Sequence, residues 1–111
     1  MTFEMNLNPV PFNMIITKRK DVEMRLLTEE RKKINIGDYI VFKNTVSGKL
    51  LTVEVTGIHT FKTFKELYKF FPKERLGYLS DEIADYQDMY EYYSKESIEK
   101  FGVVGFEIKI V

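Results

Sequence analysis

The sequence predicts an α+β domain, a mixed β-barrel of about five or six strands with short helices packed against it. Three observations lead there. Short stretches of alternating apolar and polar residues recur from one end of the chain to the other. Helix signals fall between those stretches and are only two or three turns long. No repeat, linker or low-complexity tract interrupts the 111 residues, so residues 1–111 form a single domain large enough to bury its own core. Strands of this length and spacing, with helices inserted between them, close most easily into a barrel.

Each element has a local reason. Phe3, Met5 and Leu7 alternate with Glu4 and Asn6, a period of two that reads as a first strand. Asn8-Pro9-Val10-Pro11 offers a cap and early prolines to a short helix whose buried side is Phe12, Ile15 and Ile16. Lys18-Arg19-Lys20 closes that helix, where cations suit the negative end of the dipole. Val22, Met24 and Leu26 then alternate as a second strand. Thr28 to Lys33 is a charged connector, and Ile36-Gly37-Asp38 a turn feeding the strand Tyr39 to Phe42. After a turn at Asn44 to Gly48, Leu50 to Ile58 is a long Val- and Thr-rich strand with Gly57 as a bulge signal.

Thr63 and Glu66 stand at N-cap and N3 of a capping box, ahead of a helix facing inward through Phe64, Leu67, Tyr68 and Phe71 and ended by Pro72. Lys73 to Ala84 has no clear period, and Gly77-Tyr78 reads as loop. Asp85 to Tyr93 is predicted helical, and Ser94 restarts a helix that stops at Gly102. Val104, Phe106, Ile108 and Ile110 alternate as the last strand.

Composition excludes several kinds of chemistry. Without cysteine there is no disulfide, no thiolate nucleophile and no Cys-based zinc site. A single histidine and no well-spaced acidic cluster leave no metal site, and nothing calls for a cofactor. No apolar run is long enough to span a membrane or serve as a signal peptide, so the expectation is a cytoplasmic, bacterial-type protein with no membrane partner. Seventeen basic and seventeen acidic residues cancel, against strong non-specific binding of nucleic acid. Their distribution is uneven: Lys18 to Lys33 is mildly basic, whereas Asp81 to Glu99 holds seven acids against Lys95, which reads as a solvated helix face.

The richest segment chemically is Lys18 to Arg31. Its strand carries Asp21, Glu23 and Arg25 in succession on the face opposite Val22, Met24 and Leu26. One reading is a solvated, charge-balanced face; the other is an ion pair or a prepared site. Lys20 suits either a phosphate contact or a base of depressed pKa, against the simpler role of a helix-end lysine. Glu23 suits a general base or a brace for Arg25, and Arg25 suits bidentate recognition of a phosphate or base edge. Arg31 and Lys32 read as surface charges able to track a nucleic-acid backbone. Tyr90, Tyr92 and Tyr93 offer either a stacking platform or helical core, and Phe64, Phe70 and Phe71 are core or cleft wall. His59, alone near a strand end, reads as a structural hydrogen-bonder.

These residues resemble the ASCH domain family, a branch of the PUA-like superfamily. The family pattern G-x-K-x-x-E-x-R, followed by a G-D turn and a strand, is met by Lys20, Glu23 and Arg25 and then by Gly37-Asp38 ahead of Tyr39 to Phe42. The segment from Tyr92 through Phe101-Gly102-Val103 is similar to the ending of small bacterial members, and the resemblance covers essentially the whole chain. One departure stands out: Lys18 occupies the position of the family glycine, so a left-handed turn there must be borne by a lysine. The resemblance implies a PUA-like barrel with a cleft that binds RNA or a nucleoside-like small molecule, contacted by Lys20, Glu23, Arg25, Arg31 and Tyr93. It implies, as an alternative, an amidohydrolase acting on an acylated nucleoside such as acetylcytidine, with Lys20 and Glu23 as its catalytic pair. The family enzymes are assigned a Thr, a Lys and a Glu; here Glu23 stands at the Thr position, and Glu66 and Glu74 lie in the region of the third member.

Overall fold

The computed structural model describes residues 1–111. Five strands form one mixed sheet: β1 (Thr2–Leu7), β2 (Val22–Leu26), β3 (Tyr39–Asn44), β4 (Leu50–Phe61) and β5 (Val103–Ile110). Their spatial order is β1-β3-β4-β5-β2. Only β1 and β3 run parallel; the other three pairings are antiparallel. Three helices lie between strands: α1 (Pro9–Ile16), α2 (Phe64–Phe70) and α3 (Lys95–Phe101). Short 3-10 turns cover Arg31–Lys33, Lys73–Leu76 and Tyr86–Glu91. The predicted α+β class and mixed sheet hold. The sheet curls into a half-barrel whose edges, β1 and β2, share no ladder. A side chain crosses that seam instead, because Arg25 Nη2 donates to the carbonyl of Asn6 at 2.8 Å.

The apolar alternation feeds two cores. Phe12 and Ile15 of α1 pack on one face of the sheet with Ile40, Phe42, Val53, Val55, Val104 and Phe106, all nearly sealed from solvent. Val22, Met24 and Leu26 of β2 face the other way, under Phe64, Leu67 and Phe71 of the α2 region and Ile98 of α3. Gly105 is needed at this junction: a Cβ there would sit 2.8 Å from the ring of Phe71.

Local signals are met closely. Thr63 accepts from the Glu66 amide at 3.3 Å, as the capping box requires. The register of β4 against β5 slips between Val55 and Gly57, placing the bulge at the predicted glycine. The predicted helix Asp85 to Tyr93 is instead a 3-10 turn capped by Asp85, too short for an amphipathic face. Its acids are exposed, as expected. Gly102 ends α3 with φ +72° but an extended ψ of −172°, a region open to glycine alone, not the left-handed helical stop expected.

The turn after α1 delivers Lys20. Arg19 N donates to Met14 O at 2.8 Å and Lys18 N to Ile15 O at 3.0 Å, the double bond pattern of a Schellman stop. That stop needs a left-handed residue, and Lys18 supplies it at φ 62°, the only non-glycine with positive φ. Lys18 is exposed, so nothing but backbone strain is at stake. Lys18→Gly is therefore expected to stabilise the domain by about 0.5–1 kcal/mol, the relieved strain outweighing the extra entropy of an unfolded glycine. Urea unfolding of the two proteins checks this, and an unchanged or lowered midpoint would contradict it.

Candidate functional site

β2 is buried on both faces, and this decides the reading of its charges. Glu23 is only 2% exposed and Lys20 8%, so the solvated strand face is excluded. Lys20 Nζ stands 3.1 Å from Glu23 Oε1. Arg25 donates to Glu23 Oε2 through both Nε (3.0 Å) and Nη2 (2.8 Å). Both carboxylate oxygens are thus engaged by cations. Lys20 does not answer the α1 dipole; the Schellman turn aims it inward instead, and its amide bonds back to Met14 O at 3.1 Å. Gly77 covers it, with φ +106°, and a Cβ at that position would lie 2.9 Å from Met14 Sδ and 3.5 Å from Lys20 Cδ.

Above this cluster opens a cleft of about 560 Å³, between β2, α1 and the segment from Leu76 to Tyr93. Such a volume suits a small molecule. Lys20, Glu23, Arg25 and Tyr93 all line it. Tyr93 also stacks on Phe64 at 5.9 Å and 16°, so it is core on one side and cleft wall on the other. Tyr92 joins it there, whereas Tyr90 faces a different groove. Arg31 is not part of the cleft. It is half-buried, donates to Leu26 O at 3.1 Å and lines a shallow depression beyond the β1–β2 seam, so it is not the free surface charge expected. Glu66 and Glu74 lie outside the cleft lining, which leaves no third carboxylate beside Lys20 and Glu23 from those positions.

The far wall was not visible in the sequence. Tyr78 donates to Asp88 Oδ2 at 2.7 Å and its oxygen lies 3.0 Å from that of Tyr68, so Tyr68 is the donor to Tyr78. Burial pushes the Tyr68 phenol up to about 12, and burial together with its donation to Asp88 pushes Tyr78 higher still. Both stay neutral at ordinary pH. Glu82, Asp88 and Glu91 are exposed at the mouth, which makes the entrance acidic, whereas the floor, with Lys20 and Arg25 on the one carboxylate of Glu23, keeps one net positive charge. Thr45 adds a hydroxyl to the lining.

A second polar network braces the cleft from behind. His59 Nε2 and Glu107 Oε1 are 2.5 Å apart, giving His59 the partner that its sequence context did not reveal. Arg75 Nη2 donates to Glu107 Oε2 (3.1 Å) and Arg75 Nε to Asp21 Oδ1 (2.8 Å). The Lys73–Leu76 turn is thereby tied to β5 and to the residue after Lys20.

Glu23 and Glu107 contribute to the response to acid, as does Asp38, which the Asn35 amide and the N-terminal ammonium hold below its usual value. For Glu23, burial acts to raise the pKa, but the charges and hydrogen bonds of Lys20 and Arg25 override it and hold the group below its usual 4.5. For Glu107, hydrogen bonds from His59 and then Arg75 lower it. A carboxylate whose folded pKa is depressed stabilises the fold above its unfolded pKa, and that contribution fades as pH falls through the folded value. Melting temperature should hold between pH 5 and 7 and drop below about pH 4.5. Thermal melts across this range test it; a midpoint unchanged down to pH 3 would contradict it.

With this geometry in hand, the comparisons are specific. The family model for the ASCH domain matches residues 5–111. The chain belongs to the ASCH domain family. The crystal structure of hypothetical protein PH0355 is 30% identical, covers 100% of both chains and superposes with a TM-score of 0.84. The solution structure of protein PF0455 from Pyrococcus furiosus is also 30% identical, covering 100% of this chain and 98% of that one, at a TM-score of 0.74. An ASCH domain from Lactobacillus crispatus shares the fold at 15% identity and a TM-score of 0.68, covering 98% and 79%. No protein of curated function is similar in sequence. No helix of this ASCH domain is long and apolar enough to cross a membrane.

Proposed function

We propose that the cleft of this ASCH domain binds one uncharged, nucleoside-sized ligand, either a free nucleoside or an unpaired base of an RNA, on Lys20, Glu23 and Arg25. The observation that carries this reading is the set of unspent donors on the two cations that Glu23 holds. Lys20 directs one of its three N–H groups to Glu23 and makes no other side-chain hydrogen bond. Arg25 uses Nε and Nη2 on Glu23 and Asn6, and Nη1 has no partner in the protein. Glu23 fixes both cations, and their remaining donors match carbonyl acceptors such as those on a base edge. Tyr78, Tyr92 and Tyr93 supply aromatic walls. The acidic mouth formed by Glu82, Asp88 and Glu91 disfavours a phosphate-rich strand there.

The amidohydrolase reading is supported less well. A general base needs a pKa near the working pH, whereas the charges of Lys20 and Arg25 hold Glu23 acidic against its burial. Lys20 remains suited to polarising an acyl carbonyl, and the Thr45 hydroxyl shares the cleft. Calorimetric titration with nucleosides, their acylated forms, their monophosphates and short RNAs tests the proposal. Binding of nucleosides in preference to monophosphates, lost in Lys20→Met, supports it. No binding of any nucleoside refutes it. Release of acetate from acetylcytidine that vanishes in Lys20→Met would favour the hydrolase instead.

A further inference from the structure

The curled sheet leaves one edge of β1 unpaired, because β1 stands at the end of the strand order. Tyr39 N donates to Met1 O and Thr45 N to Leu7 O, so the parallel ladder to β3 uses the main chain of the odd-numbered residues. Thr2, Glu4 and Asn6 therefore turn their N–H and C=O groups the other way. Asn6 O takes the bond from Arg25, and the rest of that row has no partner in the protein. All three residues are exposed. Across a trough of about 800 Å³ stands the connector after β2, with Thr28, Arg31 and Ile34 on the far bank. Of the cations lining the trough, Arg25 is paired with Glu23 and the N-terminal ammonium with Asp38, whereas Arg31 has no acid within ion-pair reach. Arg31 spends Nη1 on Leu26 O and leaves Nε and Nη2 without a partner. Burial first, and the charge of Arg25 second, lower its pKa, as befits a cation short of a counter-ion.

We propose that the free edge of β1 docks an extended peptide segment of another protein, which adds as a further strand and sets one acidic side chain on Arg31. A row of main-chain donors and acceptors two residues apart is matched by another peptide main chain. A nucleic-acid strand offers no such alternation. A second copy of this chain fits less well: two-fold pairing of β1 centred on Glu4 sets that carboxylate against its own copy, and any other centre shortens the ladder. Glu4 and Glu30 also line the trough, exposed, so the segment that fits carries a single acid aligned with Arg31 and not an acidic run.

NMR titration of the isotope-labelled chain with two short capped peptides tests this. One alternates valine and threonine around a central glutamate; its twin has glutamine there. The glutamate peptide should slow hydrogen exchange at the Thr2, Glu4 and Asn6 amides and bind about tenfold more tightly than its twin. Arg31→Gln should abolish that difference. Glu4→Pro removes a free-edge N–H and none of the ladder bonds to β3, so it should weaken both peptides while the spectrum stays dispersed. N-methylating every peptide amide should abolish binding with the protein unaltered. The proposal is overturned if neither peptide protects those amides at about 1 mM, if the twins bind equally, or if the methylated peptide still binds. Equal protection by a uridine oligomer would overturn it too, as would self-association abolished by Glu4→Pro, which would make the occupant a second copy. Lys20→Met should leave peptide binding unchanged; its loss there would put the peptide in the cleft and overturn the proposal.

Discussion

Glu23→Gln is expected to destabilise the domain by about 3–5 kcal/mol, the usual consequence of removing one member of a buried ion cluster. The cost comes from the groups left behind. Lys20 and Arg25 are held within 3.1 Å of the same carboxylate and are largely shielded from water, so neutralising it leaves two buried cations facing each other. The glutamine amide worsens matters, because its NH2 must point at one of them. At roughly 4 °C per kcal/mol for a domain of this size, the melting temperature should fall by about 12–20 °C. Lys20→Met is the informative contrast. It leaves Glu23 with its two bonds from Arg25, so the loss should be clearly smaller. Equal losses in the two variants, or a loss under about 1 kcal/mol for Glu23→Gln, would mean that water reaches the cluster and that the burial argument fails.

Sequence reasoning reached the elements and half of the site. Alternation located the strands because one face of each must be apolar, and Thr63 and Gly57 carried signals that depend only on near neighbours. The left-handed turn at Lys18 followed from the family resemblance alone. Lys20, Glu23 and Arg25 could be grouped because they fall within six residues of chain. What pattern could not supply was long-range. His59 finds Glu107 across 48 residues and Arg75 finds it across 32, pairings that exist only once β4 and β5 are in register. The wall of Tyr68, Tyr78 and Asp88 comes partly from a stretch without a repeating period, held by side-chain bonds and not by an amphipathic face. The double burial of β2 was hidden for a related reason: an edge strand with charges on one face looks solvated until another segment covers it.

Replacing the whole cluster should separate what its charges do for folding from what they do for binding. In Lys20→Met/Glu23→Leu/Arg25→Leu no buried charge remains unpaired, and apolar residues of similar volume are often as stable as the ion cluster they replace, or more so by about 1–4 kcal/mol. One offsetting loss is the Arg25 bond to Asn6 across the open seam, about 1.5–3 kcal/mol for a hydrogen bond to a charged group. The triple variant is therefore expected to lie within about 2 kcal/mol of the parent, far above Glu23→Gln alone. Its nucleoside affinity should nevertheless collapse. Donors worth about 2–5 kcal/mol are removed from the floor of the cleft, a loss on the order of 30- to several-thousand-fold. Urea denaturation and calorimetric titration on the same preparations measure both quantities. A stable triple variant that still binds nucleosides would show that the cluster only holds β2 to α1, with recognition lying in the tyrosine wall. A triple variant as unstable as Glu23→Gln would show instead that the Arg25 bridge is what keeps the half-barrel closed.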